Sequence, residues 1–296
     1  MKHFNPVYIY ALIAIFLWST KSSLTKLLLN GSLGAIQLVF WGSLFSLIFV
    51  LAANAVKKNL HRFSQYKAKD YLRMTVNGLL GIGLYEIVFC LAAERMPVQD
   101  AFIINYLWPV ATVVFACIVL KEKLTVKKVA ALLVSFAGVI IVLTKFRFSS
   151  LASINFAGAL FAFLAAVFYG LFCALSKKCQ YDSLSATLVY LVASVIVSGI
   201  SLLISGTGFK ISGTQILGCT WIGIFTYSLP LILWENALRR GNTATVSNLA
   251  YITPFLSLII IKLVLPNEKI EPASVIGLII IVAGIFIQLG EKKKAQ

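Results

Sequence analysis

Charged side chains are scarce in this sequence, and their scarcity excludes a soluble fold. They make up 12% of the 296 residues, against 60% apolar residues, whereas soluble domains average about 25% charged and about 45–50% apolar residues. A soluble fold of this length cannot hide so many apolar side chains, because too much of its surface remains exposed. A lipid bilayer solvates such a surface. We therefore predict an integral membrane protein.

Histidine and clustered cysteine are also lacking. The two histidines, His3 and His61, lie in charged flanking segments, so no span holds a nucleophile–histidine–acid arrangement. There is no C-x-x-C pair to indicate a zinc site or a disulfide framework, and no glycine-rich phosphate loop. The chain is therefore predicted to be no enzyme and to use no metal or cofactor. The cysteines are Cys90, Cys117, Cys173, Cys179 and Cys219.

Long apolar runs are what the sequence has instead. A helix needs about 20 apolar residues to cross the hydrocarbon core, and ten segments approach that length. We therefore predict an all-α fold with ten transmembrane helices. The first run is too long for the apolar part of a cleavable signal peptide. The predicted spans are residues 7–29, 33–56, 72–93, 98–120, 125–144, 155–176, 184–205, 214–237, 243–264 and 271–290.

Positive charge in the loops predicts the orientation. If the N-terminus is cytoplasmic, 18 of the 26 Lys and Arg residues fall on the cytoplasmic side, as the positive-inside rule requires. We therefore expect both termini in the cytoplasm of a bacterial cell, with the chain in the inner membrane. Topology and anionic lipid account for the net charge of +16 without nucleic acid.

A weak internal repeat divides the chain into two halves. Three short motifs recur in the same order at offsets of 145 or 146 residues: Tyr106-x-x-Pro109 and Tyr251-x-x-Pro254, Glu122-Lys123 and Glu268-Lys269, and Ala137-Gly138 and Ala283-Gly284. A repeat of this length holds five spans, so the second copy must enter the membrane from the opposite side. The sequence thus predicts two inverted five-helix repeats, residues 1–146 and 147–296, a pattern typical of secondary transporters.

Ionisable side chains inside the spans need a reason, because burying charge in a bilayer is costly. Glu86 in span 3 has two interpretations: it lines a transport path, or it forms a structural pair with Lys21 of span 1. Glu235 in span 8 lies four residues before Arg239, so a helix-end ion pair is as good an interpretation as a functional role. A proton-coupled mechanism therefore stays open.

Aromatic residues occur well inside several spans, and some lie beside prolines. Trp and Tyr usually collect at the membrane interfaces, so this cluster predicts a cavity wall that stacks on planar or cationic ligands. For any single ring, packing against lipid or core is the alternative. Pro109, Pro230 and Pro254 are expected to kink their helices and shape the gates. The predicted lining comprises Trp18, Tyr85, Tyr106, Trp108, Phe168, Tyr169 and Trp234, with polar contacts from Asn105 and Glu86.

These residues resemble the EamA-type drug/metabolite transporters, and within them the bacterial aromatic amino acid exporters. The resemblance spans nearly the whole chain. It rests on Leu17-Trp18-Ser19-Thr20, Tyr85-Glu86, Asn105-Tyr106-Leu107-Trp108-Pro109, Phe168-Tyr169 and Tyr251-x-x-Pro254. It implies a basket-like ten-helix fold with a central cavity and the export of aromatic amino acids or planar drugs. Phe168 stands where the family usually carries Trp, and Lys21 where these exporters carry an apolar residue. A cation there would bind a substrate carboxylate or neutralise Glu86.

Three functions follow as hypotheses. The first is a secondary exporter of aromatic amino acids or similar small amphiphilic metabolites that works by alternating access. The second is a broad EamA exporter of other metabolites or cationic drugs. The third, from another class, is a non-transporting membrane scaffold or sensor. A sealed apolar bundle would favour the scaffold, whereas an aromatic cavity would favour export. The expected partners are a small-molecule substrate and the bilayer, with the chain acting as a monomer or weak dimer.

Overall fold

The computed structural model describes residues 7–21, 24–25, 28, 33–96, 98–147, 155–179, 181–264 and 271–289. These residues form helices and connecting turns, and no strand occurs among them. The α-helices are α1 (Val7–Ser19), α2 (Ala35–Val56), α3 (Ala68–Gly78), α4 (Leu84–Ala93), α5 (Val98–Asn105), α6 (Trp108–Leu120), α7 (Val126–Thr144), α8 (Phe156–Lys178), α9 (Ser183–Ser205), α10 (Gly213–Trp221), α11 (Leu229–Arg240), α12 (Thr243–Leu249), α13 (Thr253–Val264) and α14 (Pro272–Leu289).

The helical segments are long and apolar enough to confirm an all-α membrane protein. Eight of them, taken across their internal breaks, could each cross a bilayer by length and composition. Two shorter apolar helices, Val7–Ser19 and Pro272–Gln288, lie in the first and last predicted spans. The exact count of ten crossings therefore stays a prediction.

Large apolar side chains cover the outer surface of the bundle. Among those more than half exposed are Phe16, Ile118, Phe156, Leu203 and Ile279. In water such a surface would drive aggregation, whereas in a bilayer the lipid tails solvate it. The outer surface of the fold therefore agrees with a lipid environment.

Four spans change their helical pitch midway. Wide π turns at Leu79–Gly83 and Ile222–Ser228 join α3 to α4 and α10 to α11. A tight 3₁₀ turn at Ala250–Ile252 joins α12 to α13, and the α-helix is interrupted at Tyr106 and Leu107 between α5 and α6. Such interruptions in membrane helices are tolerated where neighbouring groups satisfy the freed backbone.

The three prolines predicted to kink helices lie directly after these interruptions. Pro109, Pro230 and Pro254 are the second residues of α6, α11 and α13. Proline has no N–H group, but the first turn of a helix needs none from it, so proline is well tolerated there. Each proline thus begins a new helical segment in the middle of a span.

Helices α1 and α8 each contact several of the interrupted spans. Helix α8 packs against both α4 and α6, while α1 packs against α11 and α13. Helix α9 packs on α2, and α7 pairs with α14 at one side. The interrupted spans therefore surround the space between α1 and α8.

Candidate functional site

A cavity opens between the interrupted spans. It encloses about 790 Å³ of space, counting its open mouth. Residues from α1, the α3–α4 turn, α4, the α5–α6 segment, α8, the α10–α11 segment and α13 line it. They are Trp18, Lys21, Gly81, Ile82, Tyr85, Glu86, Phe102, Asn105, Tyr106, Trp108, Tyr169, Thr226, Tyr227, Leu231, Thr253 and Ser257.

Aromatic rings form one continuous wall of this cavity. The ring of Trp18 meets those of Trp108 and Tyr169 edge-on, with centroids 6.2 Å apart in both pairs. Trp108 and Tyr169 are themselves 4.9 Å apart, again edge to face. The indole N–H of Trp18 donates to the Thr226 carbonyl oxygen at 3.1 Å. Such interlocked rings present a rigid apolar surface suited to another flat ring.

One ion pair lies inside the aromatic cavity. The Lys21 ammonium donates to Oε1 of Glu86, and the Lys21 and Glu86 side chains are 22% and 8% exposed. The ammonium also lies 5.2 Å from the ring centroid of Tyr227 and 6.0 Å from that of Tyr85. The pair therefore brings one positive and one negative group to the lining while keeping it close to neutral, and Glu86 both pairs with Lys21 and faces the cavity.

Asn105 adds a neutral polar contact. Its amide nitrogen donates to the Tyr85 hydroxyl at 3.1 Å, which holds the amide in place. Its carbonyl oxygen is buried and has no hydrogen-bond partner among the described residues. A buried acceptor without a partner is costly, so a ligand donor in the cavity would be stabilised there.

Most of the sequence-predicted residues meet in the cavity, and two of the aromatic ones lie outside its lining. Trp234 is completely buried behind the wall, with its ring 5.1 Å from Trp18 and 5.4 Å from Trp108. Phe168 is half-buried and does not line the cavity. The three prolines also lie outside the lining, although their neighbours Trp108, Leu231 and Thr253 belong to it.

Several lining residues were not predicted from the sequence. Tyr227 and Ser257 fall outside every motif quoted above, and Thr253 is an unspecified position within Tyr251-x-x-Pro254. A periodic signal does exist for some of them. Phe102 precedes Asn105 and Tyr106 by three and four positions, the spacing of one helix face. The other positions missed are Gly81, Ile82, Thr226 and Leu231.

A cluster of polar contacts lies about two turns of α8 beyond Tyr169. The ammonium of Lys177 lies 3.0 Å from Glu122 Oε1 and also donates to the Gly241 carbonyl oxygen at 3.1 Å. The Thr243 hydroxyl donates to the same Glu122 oxygen at 2.7 Å. These contacts tie the end of α8 to the end of α6 and the start of α12. We call this group the closing cluster.

A bundle of membrane-spanning helices with an open aromatic cavity among broken helices defines a class: a polytopic membrane transporter for small molecules. The sequence profile of the EamA-like transporter family matches residues 5–144 and 156–290. The chain belongs to the EamA-like transporter family, which confirms the resemblance seen in the motifs. It is thus a multi-span membrane protein of a transporter family rather than of an enzyme family.

Individual relatives agree with this family. An uncharacterized transporter of Clostridium kluyveri is 26% identical, over 98% of this chain and 94% of its own length. The aromatic amino acid exporter YddG of Salmonella typhimurium is 22% identical, over 86% of this chain and 87% of its own. A solved crystal structure shares the fold with a TM-score of 0.79, at 21% identity, and covers 97% of this chain and 98% of the other.

Proposed function

We propose that this protein is a secondary transporter that exports aromatic amino acids or similar small amphiphilic metabolites by alternating access. The observation that carries the proposal is the ion pair Lys21–Glu86 set inside a wall of interlocked aromatic rings. A flat side chain would lie against the rings, while the charged groups of the substrate would meet the two charges. The distant likeness to aromatic amino acid exporters supports the same substrate class.

A zwitterion fits the ion pair in a specific way. The carboxylate of an amino acid would bind the Lys21 ammonium, and its own ammonium would bind Glu86 and face the Tyr85 and Tyr227 rings. Hydrogen bonds to charged groups contribute about 1.5–3 kcal/mol each, and a cation over a ring adds about 0.5–2 kcal/mol. In the bound state Lys21 would pair with the substrate carboxylate and Glu86 with the substrate ammonium, so no charge in the cavity would be left without a partner.

The architecture proposed for this transport is two inverted five-helix repeats, residues 1–146 and 147–296. The positions of the helix breaks support it. The two π turns fall in the third and eighth predicted spans, and the other two interruptions fall in the fourth and ninth. Corresponding breaks in the two halves are what a duplicated transporter would retain. We further propose the bacterial inner membrane as its location, with both termini cytoplasmic.

Alternating access requires one closed end and one open end. The closing cluster provides the closed end, because it joins three helix termini by an ion pair and hydrogen bonds. The cavity lies on the other side of Trp108 and Trp234 from it. Transport would break the closing cluster and bring the proline-initiated segments α6, α11 and α13 to a second arrangement, with these segments acting as the moving parts.

The test is exchange of labelled L-tryptophan in proteoliposomes preloaded with unlabelled tryptophan. Competitors would include tryptamine, which lacks the carboxylate, and indole-3-propionate, which lacks the ammonium. We expect tryptophan to compete best, by roughly tenfold for each interaction of about 1.4 kcal/mol. Preference for a planar cation over tryptophan would instead support a broad exporter of cationic drugs. Absence of exchange of any of these compounds would contradict the proposed substrate class.

Paired variants test the recognition by Lys21 and Glu86. Lys21→Met alone leaves the buried Glu86 carboxylate unpaired, which costs several kcal/mol, so yield should fall. Lys21→Met combined with Glu86→Gln restores neutrality, and we expect normal yield with loss of the preference for tryptophan over tryptamine and indole-3-propionate. The control is Lys262→Met on the exposed side of α13. An unchanged preference in the double variant would show that the pair only stabilises the fold.

A further inference from the structure

Glu235 of α11 is a buried carboxylate that the cavity does not use. Its side chain is completely buried, and it directly follows Trp234 at the back of the aromatic wall. The predicted ion pair with Arg239 is present, with Oε2 lying 3.3 Å from Nη2. The second carboxylate oxygen, Oε1, has no hydrogen-bond partner among the described residues. One of the two oxygens of the Glu235 carboxylate therefore makes no hydrogen bond of normal length inside the membrane domain.

Two further unsatisfied polar groups lie beside it. The Tyr190 hydroxyl of α9 faces Glu235, and the Asn77 amide of α3 faces Tyr190 in turn. Both atoms are buried, and although the three groups are neighbours, neither atom lies within normal hydrogen-bond distance of a partner among the described residues. Buried polar groups are nearly always satisfied, and each exception requires an explanation. Asn77, Tyr190 and Glu235, from three different helices, thus form a buried polar row whose hydrogen bonds are incomplete.

The row leads from the protein surface to the back of the cavity. Asn77 also lines a surface groove that encloses about 1180 Å³, counting its open side, together with Asp70, Arg73 and Tyr181. Tyr181 lies in the turn between α8 and α9, where burial raises the pKa of its phenol. At the inner end of the row, Glu235 is next in sequence to Trp234, whose ring backs the aromatic wall, and neither residue lines the cavity. The groove thus brings solvent to Asn77, the outermost member of the row, from the side opposite the cavity.

Arg239 does not depend on Glu235 for its partners. Its guanidinium also donates to the Ser176 carbonyl oxygen at 3.3 Å and to the Tyr181 carbonyl oxygen. Neutralising Glu235 would therefore leave the guanidinium hydrogen-bonded, so the cost of an isolated buried charge is avoided. The carboxylate can change its charge while the surrounding structure stays intact.

The remaining groups near Glu235 leave Arg239 as its ion-pairing partner. Asp182, at the start of α9, is the other charged group that acts on it. Two titratable residues of α8, Cys173 and Tyr169, also face it and are buried and uncharged. Burial and the nearby Arg239 guanidinium therefore act together on the charge of Glu235.

We propose that Glu235 is a proton-binding site that couples transport to a proton gradient. The proposal rests on the transport function proposed above and adds the coupling ion. A proton from solvent in the groove reaches the Tyr190 hydroxyl, which passes its own proton to Oε1 of Glu235. The product is a neutral carboxylic acid whose new O–H group donates to the Tyr190 oxygen, so two of the unsatisfied atoms become hydrogen-bonded.

The same contacts explain how protonation follows the conformational cycle. Arg239 joins α11 to the end of α8 and to the turn before α9, close to the closing cluster that contains Lys177. Movement that opens this end would draw the guanidinium away from Glu235. A carboxylate left unpaired in a dry interior is more stable when protonated. Release of the proton on reclosure then ties one proton to each transport cycle.

Transport assays separate this proposal from the proposed function. Glu235→Gln keeps the shape of the side chain and removes its proton, so tryptophan exchange should persist while accumulation driven by an imposed pH gradient is lost. Glu94→Gln, a substitution of a carboxylate with a half-exposed side chain, should keep both. Gradient-driven accumulation in Glu235→Gln equal to that of the unmodified protein would overturn the proposal. Exchange that the pH gradient never drives, even in the unmodified protein, would overturn it too and leave the transport function standing.

A spectroscopic measurement tests the proton site without any substrate. Infrared difference spectra between acidic and alkaline samples should show the carbonyl stretch of a protonated carboxylic acid in the unmodified protein. That band should be absent in Glu235→Gln, and in Tyr190→Phe it should shift in frequency and in its pH midpoint, since the hydroxyl partner is gone. Identical spectra for the unmodified protein and Glu235→Gln would refute the proposal even if no tryptophan were transported.

Discussion

Trp108 shows how much a single residue does in this cavity. Its ring lines the cavity and is 6% exposed, yet it also contacts Trp18, Tyr169 and Trp234. Removing the whole side chain would therefore create a void, at a cost of about 3–5 kcal/mol. The same ring of Trp108 would contact the ligand and packs against its neighbours. A variant that tests ligand contact must therefore keep the packing.

Trp108→Phe keeps an aromatic ring but replaces the two fused rings of indole with a single smaller ring. We expect the protein to fold and insert normally, while tryptophan exchange at limiting substrate falls several-fold, because ring contacts are worth about 0.5–1.5 kcal/mol. Trp221→Phe is the matched control, since Trp221 is 44% exposed on α10, outside the cavity lining. Initial rates in proteoliposomes provide the measurement. Equal rates for both variants would mean that Trp108 only packs.

At the scale of elements, helices α7 and α14 approach each other closely at their glycines. A Cβ atom added to Gly284 of α14 would lie 2.7 Å from the Ala131 carbonyl oxygen and 2.8 Å from the Ser135 amide nitrogen of α7. Both are backbone atoms, which cannot move aside without shifting the helix. In a membrane, close packing of this kind holds helices together where the hydrophobic effect does not.

Gly284→Ala should therefore destabilise the protein by at least the roughly 1–3 kcal/mol typical of overpacked interiors. The control is Gly213→Ala at the start of α10, where nothing lies within 4 Å of an added Cβ. Thermal unfolding in detergent is the measurement, with a lower midpoint for Gly284→Ala and an unchanged one for Gly213→Ala. Equal midpoints would show that α7 and α14 separate more easily than their contact indicates.

For the whole molecule, the arrangement of the two halves decides which face of the membrane each end occupies. The charge bias of 18 in 26 Lys and Arg residues and the corresponding helix breaks support opposite insertion of residues 1–146 and 147–296. With an odd number of spans in each half, the connection between the halves would lie on the outer face of the membrane, and both termini would lie in the cytoplasm.

Reporter fusions test this topology directly. A reporter after Lys294 should be active in the cytoplasm, and one inserted within residues 143–153 should be active outside. The positive-inside rule gives the physical reason, and paired phosphatase and fluorescent-protein fusions are the measurement. Both reporters on one side of the membrane would exclude inverted five-helix repeats.

The sequence by itself predicted the membrane class, the helical fold and half of the residues that line the cavity. The membrane class follows from the low content of charged residues. The helical fold follows from apolar runs of about 20 residues, and both features can be read directly from the sequence. The motifs then marked Trp18, Tyr85, Asn105, Tyr106 and Trp108, all of which line the cavity.

The tertiary structure alone decided which neighbours face inward. Phe168 and Tyr169 are adjacent, and successive residues on a helix point about 100° apart, so only one of them, Tyr169, lines the cavity. Trp234 lies at positions +3 and +7 from the lining residues Leu231 and Tyr227, but its greater depth puts it behind the wall. Direction and depth depend on how helices pack across the chain, and no short stretch of sequence contains that information.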